Sequence, residues 1–264
     1  FKALGADVVL SETGIDGHTD NGIHAGSVYF DITSVGATIN IMMAAVLADG
    51  LTVIENAACE PHIVDLANFF NTCGAAITGA GTNVIKIRGV KELHGCTYEI
   101  IPDMIEAGTY MTAVAAAGGR IEIRNVIPKH LESISAKLRD MNVTVEEFDD
   151  SLVVSSPGRT ALRPTNVQTK PYPGFPTDMH PQFSALMCLA PGESTMTETV
   201  FEKRFRYVSE LLRMGADIDA DDRCAHIRGG SLHGADVHAM DLRAGAAMIV
   251  AGLAAEGTTY VTGV

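Results

Sequence analysis

The sequence predicts an α/β protein built from repeated βαβαββ modules, with apolar helices inside and strands outside. Three observations predict it. Sequence markers recur along the 264 residues: Leu4-Gly5-Ala6-Asp7 returns as Cys73-Gly74-Ala75-Ala76 and as Met214-Gly215-Ala216-Asp217, with Met141-Asn142-Val143 as a degenerate copy. Ile87-Arg88-Gly89 with Leu93-His94-Gly95 is matched by Ile227-Arg228-Gly229 with Leu232-His233-Gly234. The spacing is roughly 70 residues, too long for solenoid repeats of about 20 to 50, so each copy is a small supersecondary unit. The second observation is a set of segments with almost no polar face, residues 39–48, 111–117, 183–190 and 244–255. Helices that are apolar all round must be buried on all sides, so sheets must wrap them. The third is composition: 47% hydrophobic residues, 26 glycines and no tryptophan suit a soluble globular α/β chain.

The second module supplies the elements in order. A helix over residues 105–117 stops at Gly118, as a glycine just past a helix end would stop it. Arg120-Ile121-Glu122-Ile123-Arg124 alternates with period two and predicts a strand. Pro128 opens a second helix in which Leu131, Ile134 and Leu138 follow at spacings of three and four. Three short strands follow, near residues 143–148, 152–155 and 165–169. The second helices of the modules, residues 61–72, 128–139 and 206–214, carry more charge and are expected to be partly exposed.

Charge and cysteine usage narrow the function. A formal net charge of −13 argues against a general nucleic-acid surface. An anionic ligand would have to be held by local arginines and helix ends. The longest apolar runs fall well short of the roughly 20 residues that cross a bilayer, and Phe1 opens without a basic leader, so no membrane role is expected. Five cysteines, odd in number and without a CxxC pair, read as reduced thiols of a cytoplasmic protein. The nine histidines show no ligand spacing, and neither a metal nor a cofactor is expected.

The candidate site follows from the helix starts. Pro171-Tyr172-Pro173-Gly174-Phe175-Pro176 is stiffened by three prolines, is expected to run extended, and delivers Thr177 and Asp178 to the start of an apolar helix. The same place in the other modules holds Ser34-Val35-Gly36-Ala37-Thr38, Asp103 with Glu106, and Asp241-Leu242-Arg243. Helix N-termini carry free N–H groups and partial positive charge, so a ring of them suits a phosphate-bearing ligand. Ser, Thr and Asp are also the preferred N-caps, and for each of these residues that plain structural reading stands beside the functional one. Arg243 fits capping poorly, because a cation at a helix N-terminus opposes the dipole. Glu60, before Pro61, reads as a cap, and Arg204, in Phe201-Glu202-Lys203-Arg204-Phe205-Arg206, as the start of a solvated helix.

These stretches, with Glu55-Asn56-Ala57-Ala58, Glu60-Pro61, Pro102-Asp103 and Glu198-Thr199-Val200-Phe201-Glu202, closely resemble the UDP-N-acetylglucosamine 1-carboxyvinyltransferases, the enolpyruvyl transferase family of peptidoglycan synthesis. The resemblance runs the whole length of the chain. It implies two inside-out α/β barrels of three modules each, with the active site in the cleft between them. Residues 1–101 would be part of the first barrel domain and 102–264 most of the second. The implied reaction moves enolpyruvyl from phosphoenolpyruvate to the 3-hydroxyl of UDP-N-acetylglucosamine and releases phosphate, the first committed step of peptidoglycan synthesis. Asp178 would be the general base and Arg243 would meet the phosphoenolpyruvate carboxylate or phosphate. Ser34, Val35, Gly36, Glu60, Asp103, Thr177, Val200, Phe201, Arg204 and Asp241 would line the substrate site.

The family also has a mobile loop bearing a catalytic Cys (Asp in some members), a Lys-Asn pair and a further Arg at the phosphoenolpyruvate site. None of these is matched here, and Ile32 stands where some relatives carry a substrate-contacting Lys. The expectation is a stretch from the middle of a longer transferase, inactive alone. The alternatives are a 5-enolpyruvylshikimate-3-phosphate synthase-like transferase and a non-catalytic UDP-sugar-binding protein of the same fold.

Overall fold

The computed structural model describes all residues from Phe1 to Val264, which form two compact units, Phe1–Ile101 and Pro102–Val264. No helix is long and apolar enough to cross a membrane.

The first unit opens with an antiparallel hairpin, β1 (Asp7–Ser11) and β2 (Gly14–His18). One full module follows: β3 (Ser27–Tyr29), α1 (Val35–Ala45), β4 (Leu51–Glu55), α2 (Pro61–Thr72), β5 (Ala76–Thr78) and β6 (Val84–Arg88). Its sheet runs in the order β3-β4-β6-β5, with β3 and β4 parallel and the other pairs antiparallel. Ile54, Ile85 and Ile87 point from the sheet onto Ile41 and Met42 of α1 and Ile63 of α2, and all are buried. Alternation in β4 and β6 places one residue in two on this inner face, as a half-buried strand requires.

In the second unit the chain continues with α3 (Met104–Ala117), β7 (Gly119–Arg124), α4 (Glu132–Asp140), β8 (Thr144–Glu147) and β9 (Ser151–Ser156), sheet order β7-β9-β8. Pro128 starts a 3-10 turn, Pro128–Leu131, which feeds α4. Then come β10 (Asn166–Gln168), α5 (His180–Met187), β11 (Gly192–Thr197), α6 (Val208–Arg213), β12 (Asp217–Ala220) and β13 (Cys224–Gly229). The sheet β10-β11-β13-β12 repeats the order and the strand directions of the first unit's sheet. A further β14 (Asp236–His238), α7 (Leu242–Ala254) and β15 (Tyr260–Thr262) follow, with β14 and β15 parallel. Helices α3, α5 and α7 pack against one another, with β7 and β9 against α3, β11 and β13 against α5, and β15 against α7. Helices inside and strands outside is therefore the arrangement within this unit.

Two local expectations change. The strand near residue 167 opens the next module instead of closing the second, pairing in parallel with β11, a partner that arrives only after α5, so a short-range reading could not place it. Burial on every side holds for α5, all of whose residues are buried. It does not hold for the others: Met43 on α1, Tyr110 on α3, and Ile249 and Leu253 on α7 are exposed. An all-apolar pattern states that a helix can be enclosed, and the packing of neighbours decides whether it is. All five cysteines are free; Cys73 and Cys188 are buried, whereas Cys96 is exposed and its sulfur lies 3.4 Å from that of Cys73.

The repeated markers have a steric cause. Gly5, Gly74 and Gly215 take positive φ of 85°, 97° and 86°, a region closed to most side chains. A histidine ring (His24, His94, His233) presses on each from the side where a Cβ would stand. Each of those histidines donates its backbone N–H to the residue before the glycine: Leu4, Cys73 and Met214. In the degenerate copy Asn142 takes φ 70°, as the residue type best suited after glycine to this region. Gly89 and Gly229 mark a second close approach, where any Cβ would overlap the carbonyl oxygen of Ala48 or Ala190. Alanine at either glycine is expected to lower stability by about 1–3 kcal/mol through overpacking. Gly230→Ala, with open space around it, is the control. Urea unfolding midpoints of the three variants check this, and equal midpoints for Gly229→Ala and Gly230→Ala would refute it.

Candidate active site

The proline-rich loop does not run extended. Gly174 donates its N–H to Pro171 O, and Lys170 donates to Phe175 O, so the chain folds back beside itself. Gly174 is needed there, because a Cβ would press on the Lys170 side chain and the Pro171 carbonyl. The Tyr172–Pro173 peptide is cis. Phe175 buries its ring against Phe183 of α5, which anchors the loop to the core. A 3-10 turn, Thr177–Met179, then leads into α5 with Pro181 in its first turn, where a missing N–H costs nothing.

Asp178 is not a cap. Its carboxylate lies between two guanidiniums: Arg204 Nη2 donates to Oδ1 at 2.9 Å, and Arg243 Nη2 donates to Oδ2 at 3.0 Å. The three side chains are 40%, 22% and 25% exposed, so the cluster is open to solvent on one side while both cations are largely held by the protein. Arg243 sits in the first turn of α7, the position that opposed capping, and its charge is answered by Asp178 rather than by the helix. Arg204, for which a solvated helix start stood beside a place in the substrate site, turns inward from the 3-10 turn Arg204–Tyr207 and also lies over the Phe201 ring, 5.2 Å from its centroid. That is cation–π distance.

The other acidic and hydroxyl helix starts do cap. Ser34 Oγ accepts from Ala37 N at 3.3 Å, and Asp103 Oδ1 accepts from Ile105 N at 2.7 Å. Asp241 Oδ1 accepts from Arg243 N and Ala244 N, which fixes the turn that presents Arg243. Glu60 occupies the N-cap position of α2, but its side chain makes no capping bond. Ser34, Val35, Gly36 and Glu60 all belong to the first unit. There Thr38 Oγ1 donates to Ser34 O and accepts from Ala58 N, joining the start of α1 to the segment before α2. Asp103 faces Val126 and His130 across the start of α3, and no hydrogen bond or ion pair joins it to the Asp178 cluster.

One residue behind the cluster escaped the sequence reading as a site member. Glu198, fully buried at the end of β11, accepts from Thr169 Oγ1, Val200 N and Phe201 N through Oε1, and from Thr177 Oγ1 through Oε2, at 2.6–3.0 Å. Burial pushes its carboxyl up, but the four donors together outweigh burial and hold it below the ordinary carboxylate range. The only signal in the sequence is an acid that ends an alternating strand and is followed at once by a turn. Beside it, His180 is buried with Nε2 3.1 Å from the Tyr207 hydroxyl, which donates to Ser184 Oγ. Burial pushes His180 down to about 4; the Glu198 charge opposes that shift and Arg204 reinforces it. The ring is neutral at pH 7.

A half-open carboxylate between two guanidiniums, at the end of a loop braced by a buried acid, gathers one acid and two cations at a solvent-facing edge of the second unit. The chain belongs to the EPSP synthase (3-phosphoshikimate 1-carboxyvinyltransferase) family of enolpyruvyl transferases, whose family model matches residues 1–264. Among its relatives, the UDP-N-acetylglucosamine 1-carboxyvinyltransferase of Clostridium botulinum is 54% identical over 265 residues, covering 100% of this chain and 63% of that protein. UDP-N-acetylglucosamine 1-carboxyvinyltransferase 2 of Bacillus subtilis is 52% identical over 264 residues, covering 100% of this chain and 61% of that protein. The chain thus spans under two thirds of the length of these relatives. Its fold superimposes on the enolpyruvyl transferase NikO of Streptomyces tendae with a TM-score of 0.86 at 25% identity, over 98% of this chain and 64% of that one. It also matches an EPSP synthase of Acinetobacter baumannii with a TM-score of 0.71 at 18% identity, over 99% of this chain and 64% of that one, a likeness of fold alone.

The depressed His180 makes a pH prediction. Its folded value of about 4 lies below the ordinary 6.5, so as pH falls through 6.5 the unfolded chain takes the proton first. Stability is complete above about pH 6.5 and falls toward pH 4, by at most about 1.4 kcal/mol per pH unit from this group. Glu198, also depressed, adds a loss only at lower pH, below its ordinary 4.5. Urea midpoints at pH 7 and pH 5 should therefore drop in the parent and stay flatter in His180→Gln; equal slopes would count against it.

Proposed function

We propose that the complete protein transfers enolpyruvyl from phosphoenolpyruvate to the 3-hydroxyl of UDP-N-acetylglucosamine, releasing phosphate, as the first committed step of peptidoglycan synthesis in the cytoplasm. The observation that carries this reading is Asp178, a carboxylate held between Arg204 and Arg243. A carboxylate so placed accepts a hydroxyl proton at hydrogen-bond distance of about 2.6–3.2 Å. The guanidiniums are free to exchange Asp178 for the carboxylate or phosphate of phosphoenolpyruvate, which their paired N–H donors fit better than a lysine would. Both substrates are anionic, and two arginines on a chain of net charge −13 give them a local positive field. Substrate choice rests on relatives that carry the UDP-N-acetylglucosamine name at 52–54% identity, against 18% for the EPSP synthase structure.

In this reading Thr177, Val200 and Phe201 flank the sugar beside Asp178, and Asp241 fixes the turn of Arg243. Ser34, Val35, Gly36, Glu60 and Asp103 serve the UDP-sugar from their helix starts. The units Phe1–Ile101 and Pro102–Val264 correspond to part of a first barrel domain and most of a second.

Asp178→Asn in the full-length protein is expected to lower turnover by at least about 100-fold, the scale of a lost general base. The pairs it breaks are partly exposed and contribute about 0–1 kcal/mol each, so the melting temperature should barely move. Phosphate release with both substrates, set against thermal melting, decides it. Full turnover, or a large drop in melting temperature that accounts for the loss, would remove Asp178 from catalysis.

A further inference from the structure

We propose that Glu198 is the positioning residue of this site, a single buried carboxylate that sets Asp178 and Arg204 in register with each other. The inference rests on the reading of the Asp178 cluster given above. The four donors belong to two separate segments, the proline-rich loop and the turn after β11. Thr169 is the foot of the proline-rich loop, where the chain leaves β10, and Thr177 is its far end, next to Asp178. Val200 and Phe201 form the turn after β11 that carries Phe201 under the Arg204 guanidinium. One carboxylate therefore grips both ends of the loop that bears the acid and the turn that sets Phe201 beneath its cation.

The division between the two oxygens is specific. Oε1 takes two consecutive backbone N–H groups and the Thr169 hydroxyl, whereas Oε2 takes the Thr177 hydroxyl. Thr169 in turn accepts from Thr199 N at 2.9 Å, and the Thr199 hydroxyl donates to Thr169 O, so the turn and the loop foot are laced together on a second side. A buried carboxylate is a costly way to join two loops; apolar packing of similar volume often does as well or better for stability. What four donors on one anion supply is direction: the turn and the loop cannot slide past each other without leaving a buried N–H or the carboxylate unpaired. The Asp178 carboxylate bonds to Arg204 and Arg243 and not to Glu198 or its donors, so Glu198 acts through the backbone of residue 177 and through Phe201.

Shortening the side chain tests this, because Glu198→Asp withdraws the carboxylate by one methylene and cannot reach Thr177 and the 200–201 amides together. In the full-length protein its kcat is expected to fall by about 10- to 100-fold, the cost of displacing reacting groups by about 1 Å. The assay is run well below the variant's melting temperature and scaled to folded protein. Glu198→Gln should recover most of that rate: its carbonyl can keep Oε1's three donors while the amide faces the Thr177 hydroxyl, which can rotate to accept. A residue that serves only stability would leave kcat per folded molecule unchanged in both variants, and a kcat within twofold of the parent in Glu198→Asp overturns the proposal. Asp178→Asn run alongside separates the two claims. If it is inactive while Glu198→Asp is at parental rate, only the positioning role fails; if it is fully active, the reading of the site fails first. Hydrogen exchange supplies a readout that needs no turnover. Residues 169–180 and 199–204 should exchange faster in Glu198→Asp with α3 unchanged, and unaltered exchange there overturns the proposal by itself.

Discussion

The constraint on which the second unit depends is the complete burial of α5. From His180 to Met187 no residue of that helix reaches solvent, including His180, Gln182 and Ser184. An element in that position must be surrounded, and it is, by α3 and α7 and by β11 and β13. Its polar residues must find partners within the protein. His180 and Ser184 meet the Tyr207 hydroxyl, and Gln182 donates to Thr109 on α3. Burial of α5 fixes where the helix begins, and Asp178 stands on the turn just before it.

The four helix starts that look alike in sequence divide in the structure by what their side chains meet. Ser34, Asp103 and Asp241 turn back on their own helices, because an oxygen two or three bonds from the backbone is within reach of free N–H groups. Asp178 has the same chemistry, yet it enters through a 3-10 turn, and Arg204 and Arg243 converge on its carboxylate. Charge decides the outcome: two guanidiniums attract an aspartate more strongly than one backbone N–H. Asp241 contributes indirectly, since its capping bond to Arg243 N orients the residue whose guanidinium reaches Asp178.

Glycine accounts for the persistence of the repeat. Copies of the module differ in most side chains, but Gly5, Gly74 and Gly215 keep the same positive φ, and Gly89 and Gly229 keep the same close pass over an alanine carbonyl. These are places where backbone meets backbone or ring, so no larger residue can substitute without moving an element. The asparagine at position 142 shows the one alternative that the conformation admits.

The sequence alone determined the module order, the helix stops, the period-two strands and the family, because these rest on local spacing, on backbone-limited residues and on motifs that stand in one stretch of chain. It also marked Arg243 as the odd member of its set. It did not show that Arg204 turns inward, that β10 pairs with β11, that the proline-rich loop folds back, or that Glu198 ties loop to turn. Each of those joins residues about 20 or more apart in sequence or sets the path of a segment with no period. The tertiary structure decided them, because a buried carboxylate and an ion pair are satisfied only by partners that packing brings within about 3 Å. For the same reason, the exposed faces of α1 and α7 could not be told from the enclosed surface of α5 by composition: an apolar residue records that it can be buried, and neighbours determine whether it is.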